Sequence, residues 1–353
     1  MSILGRRGLM ALAGFAVFGL WASAAFTQGR GAGAGQGRGA GGAAARNSLD
    51  EVLVGTIDVH THQGPDNRAR SLDAIDVARL DKMMGMRGLV LKSHLDPTAD
   101  RAYFVRKEVP GIEAFGLIDL NLNVGGMNPD AVEHFVQVVG PTQPDGSTAG
   151  PFGRVVMMGS DDADYQVKFS KLNKKSVIVA RNGEVVPEAK EIIGLIKKYN
   201  LTMTTGHHSG DDALLMIREA LKQGIPPTRI GVTHANIDPP GLTIAQMQEA
   251  AKLGVFVEIC GQSQRAANAD AQKALDARND RMADIIKKVG ASNIIMETDL
   301  GQAGNEYAPI GFAAFIRAMR ARGISSQDTD RMTKENPAKY LGIPVLGATG
   351  STQ

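Results

Sequence analysis

The stretch IDVHTHQGPD, Ile57–Asp66, ends an apolar run with two histidines two residues apart, in a chain that holds only seven. Residues i and i+2 of a strand project to the same face, their Cα atoms roughly 7 Å apart. Two imidazoles on one face can share a metal ion. They can also be plain polar residues capping a strand. The pair alone leaves both readings open.

Outward from it, the chain alternates short apolar runs with amphipathic stretches. The runs number eight: VLVGTIDVH, RGLVLKSH, IEAFGLIDL, RVVMMGS, LTMTTGHH, RIGVTHA, GVFVEIC and NIIMETD. Between them lie segments such as SLDAIDVARLDKMMG and DDALLMIREALKQG, where Leu, Met and Ile recur at helical spacing. Several close on a glycine just before the next strand, as a helix C-terminus prefers. Near-continuously apolar strands separated by helices indicate a parallel sheet. Eight such units in about 290 residues predict an α/β protein of the closed (β/α)8 TIM-barrel type. An open doubly wound sheet competes, but it usually carries a phosphate-binding glycine loop after its first strand, and none follows here.

One segment breaks the rhythm. In KKSVIVARNGEVVPEAKEII, Asn182-Gly183 between β-rich flanks predicts a small hairpin. The expected organisation is a barrel over 49–346, with a hairpin-containing insertion at 160–187 over its mouth after the fourth strand.

Composition narrows the function. A hydrophobic content of 43% with 22% charged residues is that of a globular protein. A formal charge of +2 without a Lys/Arg cluster argues against a nucleic-acid partner. The single cysteine, Cys260, excludes an internal disulfide and any multi-cysteine metal site, and reads as buried packing. A metal must therefore be held by His, Asp, Glu or Lys. The first residues have a short basic start, an apolar stretch from Gly8 to Ala22 and small residues at Ala22-Ser23-Ala24. They predict a signal peptide over 1–26, with Arg6-Arg7 pointing to the twin-arginine route over general secretion. An uncleaved anchor is the competing reading, and the stretch is short and Gly/Ala-rich for a membrane span. A Gly/Ala/Arg-rich tether follows over 27–48, and its Gly-x-Gly-x-x-Gly lacks the strand that a dinucleotide site needs. The expected location is exported, periplasmic or secreted, with no stable membrane span after cleavage.

In a barrel of this kind the active site lies at the C-terminal ends of the strands. Six of the seven histidines fall there: His60 and His62 on strand one, His94 on strand two, His207 and His208 on strand five, His234 on strand six. His134 alone sits within a helical segment. Asp299 ends strand eight, and Lys92 lies two residues before His94 on the same face. Imidazoles and a carboxylate converging on one barrel end make a divalent-metal site, most naturally zinc.

With these motifs the chain resembles the amidohydrolase superfamily of metal-dependent hydrolases, in an uncharacterised amidohydrolase-related branch. The matching stretches are DVHTH, TTGHHS, GVTHA, METDLGQ and the closing ENPAKYLGI, and the resemblance runs from Val52 to Pro344. It implies that His60, His62 and Asp299 hold the more buried ion. His207 and His234 would hold a second ion, or one of them would complete a mononuclear site while the other contacts substrate. His208 would then point away or support a ligand from behind. The departure is on strand four, which reads VVMMGSDD and lacks the bridging lysine of two-metal members. Lys92 or Asp161 can take that place. Alternatively Lys92 stays an ammonium that pairs with an anionic substrate, with His94 as a further bridging or substrate contact. Glu258 is either a carboxylate behind a ligating histidine or a rim residue.

The chemistry implied is hydrolysis of an amide, cyclic amide, lactone or ester in a small molecule. A zinc-type ion makes water acidic enough to attack near pH 7, and Asp299 is placed to pass its proton to the leaving group. A phosphoester is less suited, since Arg68, Arg70 and Arg181 are the only loop arginines near the expected mouth. Two rival classes stay open: a metal-dependent decarboxylase of a small carboxylic acid, and a non-catalytic exported metal-binding protein. The expected partner is a small-molecule substrate, and homo-oligomerisation is left open.

Overall fold

The computed structural model describes residues 49–346. The signal-peptide and tether readings of 1–48 lie outside the described residues. Ten strands are present: β1 (Ile57–His62), β2 (Gly88–Lys92), β3 (Glu113–Asp119), β4 (Gly153–Met157), β5 (Ala180–Arg181), β6 (Glu184–Val185), β7 (Thr202–Thr204), β8 (Ile230–Val232), β9 (Phe256–Cys260) and β10 (Ile294–Glu297). Eight of them form one parallel sheet in the order β1-β2-β3-β4-β7-β8-β9-β10. The ends of that sheet meet: the His62 amide donates to Leu300 O at 2.8 Å, and the Asp299 amide to His60 O at 2.9 Å. The predicted (β/α)8 barrel is the observed fold.

Helices α1 (Ala74–Met83), α2 (Ala99–Glu108), α3 (Pro129–Val136), α4 (Asp164–Phe169), α5 (Pro187–Lys198) and α6 (Gly210–Lys222) follow the first five barrel strands. Beyond them come α7 (Ile244–Lys252), α8 (Ala269–Val289), α9 (Ala308–Arg320), α10 (Ser326–Asp330) and α11 (Asn336–Leu341). Their starts are written locally. The Asp73 carboxylate accepts from the Ile75 and Asp76 amides at the head of α1, and Thr243 with Gln246 forms a capping box on α7. Every residue of β2 is buried, because the sheet is covered on both faces and strand alternation has no solvent side to serve.

Two apolar layers hold the molecule. One lies between strands and helices; the other, including Ile57, Val90, Phe115, Val155 and Ile295, fills the barrel itself. Tyr340 and Leu341 of α11 join that inner layer. Gly231 on β8 leaves the room: a Cβ there would sit 2.9 Å from the Tyr340 ring and 2.1 Å from Glu258 Oε1. The hairpin β5–β6 turns at Asn182 and Gly183, both at positive φ, and packs against α6.

Candidate metal centre

The first strand carries the device that shapes the site. Its pairing with β2 runs Asp58 to Leu89 and then Thr61 to Leu91, so β1 holds one residue more than its partner, a bulge beside His60. His62 Nε2 lies 2.9 Å and His60 Nε2 3.5 Å from the same oxygen, Asp299 Oδ1. The His60 and His234 rings are 5.4 Å apart, and His207 and His234 face one another Nε2 to Nε2 at 2.9 Å. The structure thus brings together His60, His62, His207, His234 and Asp299 from β1, the β7 and β8 ends and the β10 end. Asp299 adopts φ 53°, a left-handed turn that Asp tolerates better than most residues, directly after β10.

Electrostatics keep these imidazoles neutral. Burial, assisted by the Lys92 charge, lowers His60 to about 3, and burial likewise brings His234 to about 3. Burial would raise the Asp299 carboxyl, but the His62 hydrogen bond and the histidines around it hold it well below the usual range. Neutral nitrogens beside a carboxylate are the donor set of a zinc-type ion. The hydrogen-bond pattern fits the same group. His207 Nδ1 donates to Gln166 Oε1 at 2.8 Å, which leaves its Nε2 a lone pair aimed at His234. His60 Nε2 is buried with no hydrogen-bond partner. Buried imidazole nitrogens gathered this closely around a carboxylate oxygen suit a cation.

The other expected residues take different places, His94 against the cluster and the rest behind or beside it. Lys92 is fully buried, its Nζ 3.8 Å from Asp119 Oδ2 at the end of β3. His94 stacks on His62 with ring centroids 4.7 Å apart, and its Nδ1 lies 3.1 Å from Asp66. Its Nε2 faces Asp161 at 3.6 Å, and Asp161 is engaged by Arg68. His208 donates to Met158 O at 2.7 Å, tying the β7 end to the β4 end away from the cluster. Glu258 is not on the rim: it lies inside the barrel, accepts from the Thr204 hydroxyl, and burial raises it to about 8. Cys260 is buried with its thiol on Thr298 O, and burial pushes its pKa up. His134 is on α3 and exposed.

Four contributors escaped the sequence reading: Asp66, Asp119, Gln166 and Glu297. Asp119 ends its strand and Glu297 precedes Asp299 by two residues, so the test applied to the histidines, ionisable groups at strand ends, would have found both. Gln166 carries no such mark. It reaches His207 only because α4 folds over the barrel end.

These side chains stand together at the C-terminal ends of the strands of a parallel (β/α)8 barrel. The chain itself belongs to a family of unknown function, DUF6282, whose model matches residues 55–258. No curated protein matches the sequence. Among solved structures, a phosphotriesterase homology protein from Escherichia coli, complexed with phosphate in its active site, superposes with a TM-score of 0.51 at 14% identity. That match covers 82% of this chain and 99% of the other. An amidohydrolase from Pseudomonas aeruginosa gives 0.55 at 12% identity over 82% and 96% of the two chains. The organophosphorus hydrolase of Deinococcus radiodurans gives 0.51 at 13% identity over 83% and 94%. At these identities the likeness is one of fold.

Proposed function

We propose that the protein is an exported, metal-dependent hydrolase that cleaves an amide, cyclic amide, lactone or ester bond in a small molecule. One observation carries this: His60 and His62 of the first strand share one oxygen of Asp299 from the last, with the His207–His234 pair beside them. His60, His62, His207, His234 and Asp299 would hold one or two divalent ions, zinc first among them. Such an ion supplies an acidified water and a polarised carbonyl. Asp299, held ionised chiefly by its His62 hydrogen bond, would take up a proton from water and pass it to the leaving group. His94, whose Nε2 faces Asp161, would serve as a substrate contact. Lys92, beside Asp119, adds its charge to the burial that keeps the imidazoles unprotonated; a carbamate there would set a second negative charge against Asp119.

An uncharged scissile bond suits the mouth. Arg68 is engaged with Asp161, Arg70 with Asp66, and Arg181 lies out on the hairpin. A solved neighbour described as a weak promiscuous lactonase template, engineered for organophosphate hydrolysis, adds lactones and phosphotriesters to the panel worth assaying. Among the described residues no helix is long and apolar enough to cross a membrane.

Elemental analysis of the purified protein, beside a His60→Ala/His62→Ala variant, tests the reading. One ion per chain is expected while Lys92 is an ammonium, and two would restore Lys92 or Asp161 as a bridge. The variant should lose metal and hydrolysis together. Carbon dioxide release from small acids without hydrolysis of any amide, lactone or ester would move the assignment to a decarboxylase. Protein that neither holds nor responds to metal would end the catalytic reading.

A further inference from the structure

We propose that Glu297 is the positioning residue of His60 and selects which of its ring nitrogens faces the metal, an inference that rests on the metal-centre reading above. Glu297 ends β10 and precedes Asp299 by two residues. Both carboxylates reach the same imidazole: Asp299 Oδ1 is 3.5 Å from Nε2, and Glu297 Oε1 is 3.4 Å from Nδ1. One ring is held between two acids of one strand end.

Glu297 is completely buried, and neither of its oxygens has a hydrogen-bond partner. A buried carboxyl without a donor is costly, and His60 Nδ1, 3.4 Å from Oε1, can supply one when it carries the ring hydrogen. Placing the hydrogen on Nδ1 leaves the lone pair on Nε2, the nitrogen that points at Asp299. Nearby Glu258 is not equivalent. Its oxygens take the Thr204 hydroxyl at 3.1 and 3.2 Å, so it is already committed when Glu297 is not. His62 has no such acid: Asp66 Oδ2 is 3.9 Å from its Nδ1, which is left without a hydrogen-bond partner.

The test is a zinc titration of the full chain, first stripped of metal, against a competing chromogenic chelator. Wild type is compared with Glu297→Met, which keeps the volume and removes the acceptor, and with Glu297→Gln, which keeps an acceptor oxygen. The melting temperature of each metal-free protein is measured alongside. Glu297→Met should bind zinc roughly 10- to 100-fold more weakly at unchanged stoichiometry. Its metal-free melting temperature should be unchanged or higher, since a buried carboxyl has gone, and Glu297→Gln should fall between it and wild type. Zinc affinity within twofold of wild type would overturn the proposal while leaving the metal centre standing. So would a lower metal-free melting temperature that accounts for the loss, which marks a packing role. A drop of one ion per chain would make Glu297 a ligand instead. If wild type takes up no zinc, the metal-centre reading fails and this inference fails with it. Should Glu297→Met not fold, Glu297→Gln carries the comparison, with several-fold weaker binding expected and equal binding overturning the proposal.

Discussion

Lys92 and Tyr340 are the two largest side chains that the barrel buries completely, and they are buried for different reasons. Tyr340 fills volume. Lys92 brings a charge into the interior, and a buried charge persists only with a partner. Asp119 is that partner, itself braced by the Ser160 hydroxyl. Breaking a buried pair from one side leaves an uncompensated charge, which costs about 3–5 kcal/mol, whereas replacing both partners with apolar residues is often near neutral. Asp119→Ala is therefore expected to lower the urea midpoint of the metal-free protein far more than the double variant Lys92→Met/Asp119→Leu. A double variant as unstable as the single one would show that the pair is not coupled. At this scale much of the site was legible in the chain. A histidine or aspartate at the end of an apolar run is a local feature, visible wherever it occurs. The partners Asp119 and Glu297 carry the same local mark, but their roles come from what lies across the barrel.

Among the elements, the closure between β1 and the β10 end is the demanding one, because His60, His62 and Asp299 all depend on it. Gly301 makes it possible. Its φ is 129°, and a Cβ there would sit 1.9 Å from the His62 carbonyl oxygen. Gly304, three residues on, also has positive φ but nothing within 4 Å of its Cβ position. Gly301→Ala should cost roughly 2–4 kcal/mol and release metal, while Gly304→Ala should cost only about 1 kcal/mol of backbone strain. Urea unfolding with metal analysis on both variants distinguishes them, and equal losses would remove the steric argument. The strands and helices were readable from periodicity and capping residues. The bulge in β1 was not, since a bulge is a property of two strands in register. Nor was the fold-over of α4 that brings Gln166 to His207.

For the whole molecule, the buried acids and histidines pull stability in opposite directions with pH. Burial raises the Asp58 carboxyl from its ordinary 3.8 to about 7. An acid raised in the folded state contributes stability that is complete below its ordinary pKa and is lost as pH climbs through 7. His60 and His234, lowered to about 3, act the other way, losing stability as pH falls from their ordinary 6.5. The clean observable is a difference. Asp58→Asn, which can keep the Thr298 and His60 contacts, should gain on wild type by on the order of 4 kcal/mol as pH rises from about 4 to about 7. Urea midpoints at several pH values read this, and a difference that stays flat would mean Asp58 titrates normally.

The sequence by itself determined the (β/α)8 architecture and the strand ends at which the histidines and Asp299 stand. Both follow from short-range regularities, the alternation of buried strand and amphipathic helix and the exposure of every strand's C-terminal end at one face. Only the tertiary structure decided the pairings: Lys92 with Asp119, His207 with Gln166, His60 between Asp299 and Glu297, Glu258 inside rather than on the rim. Each joins residues at least 27 positions apart, or two strands whose register a one-residue bulge has shifted. Closing the barrel sets such distances, and no local stretch of the chain contains them.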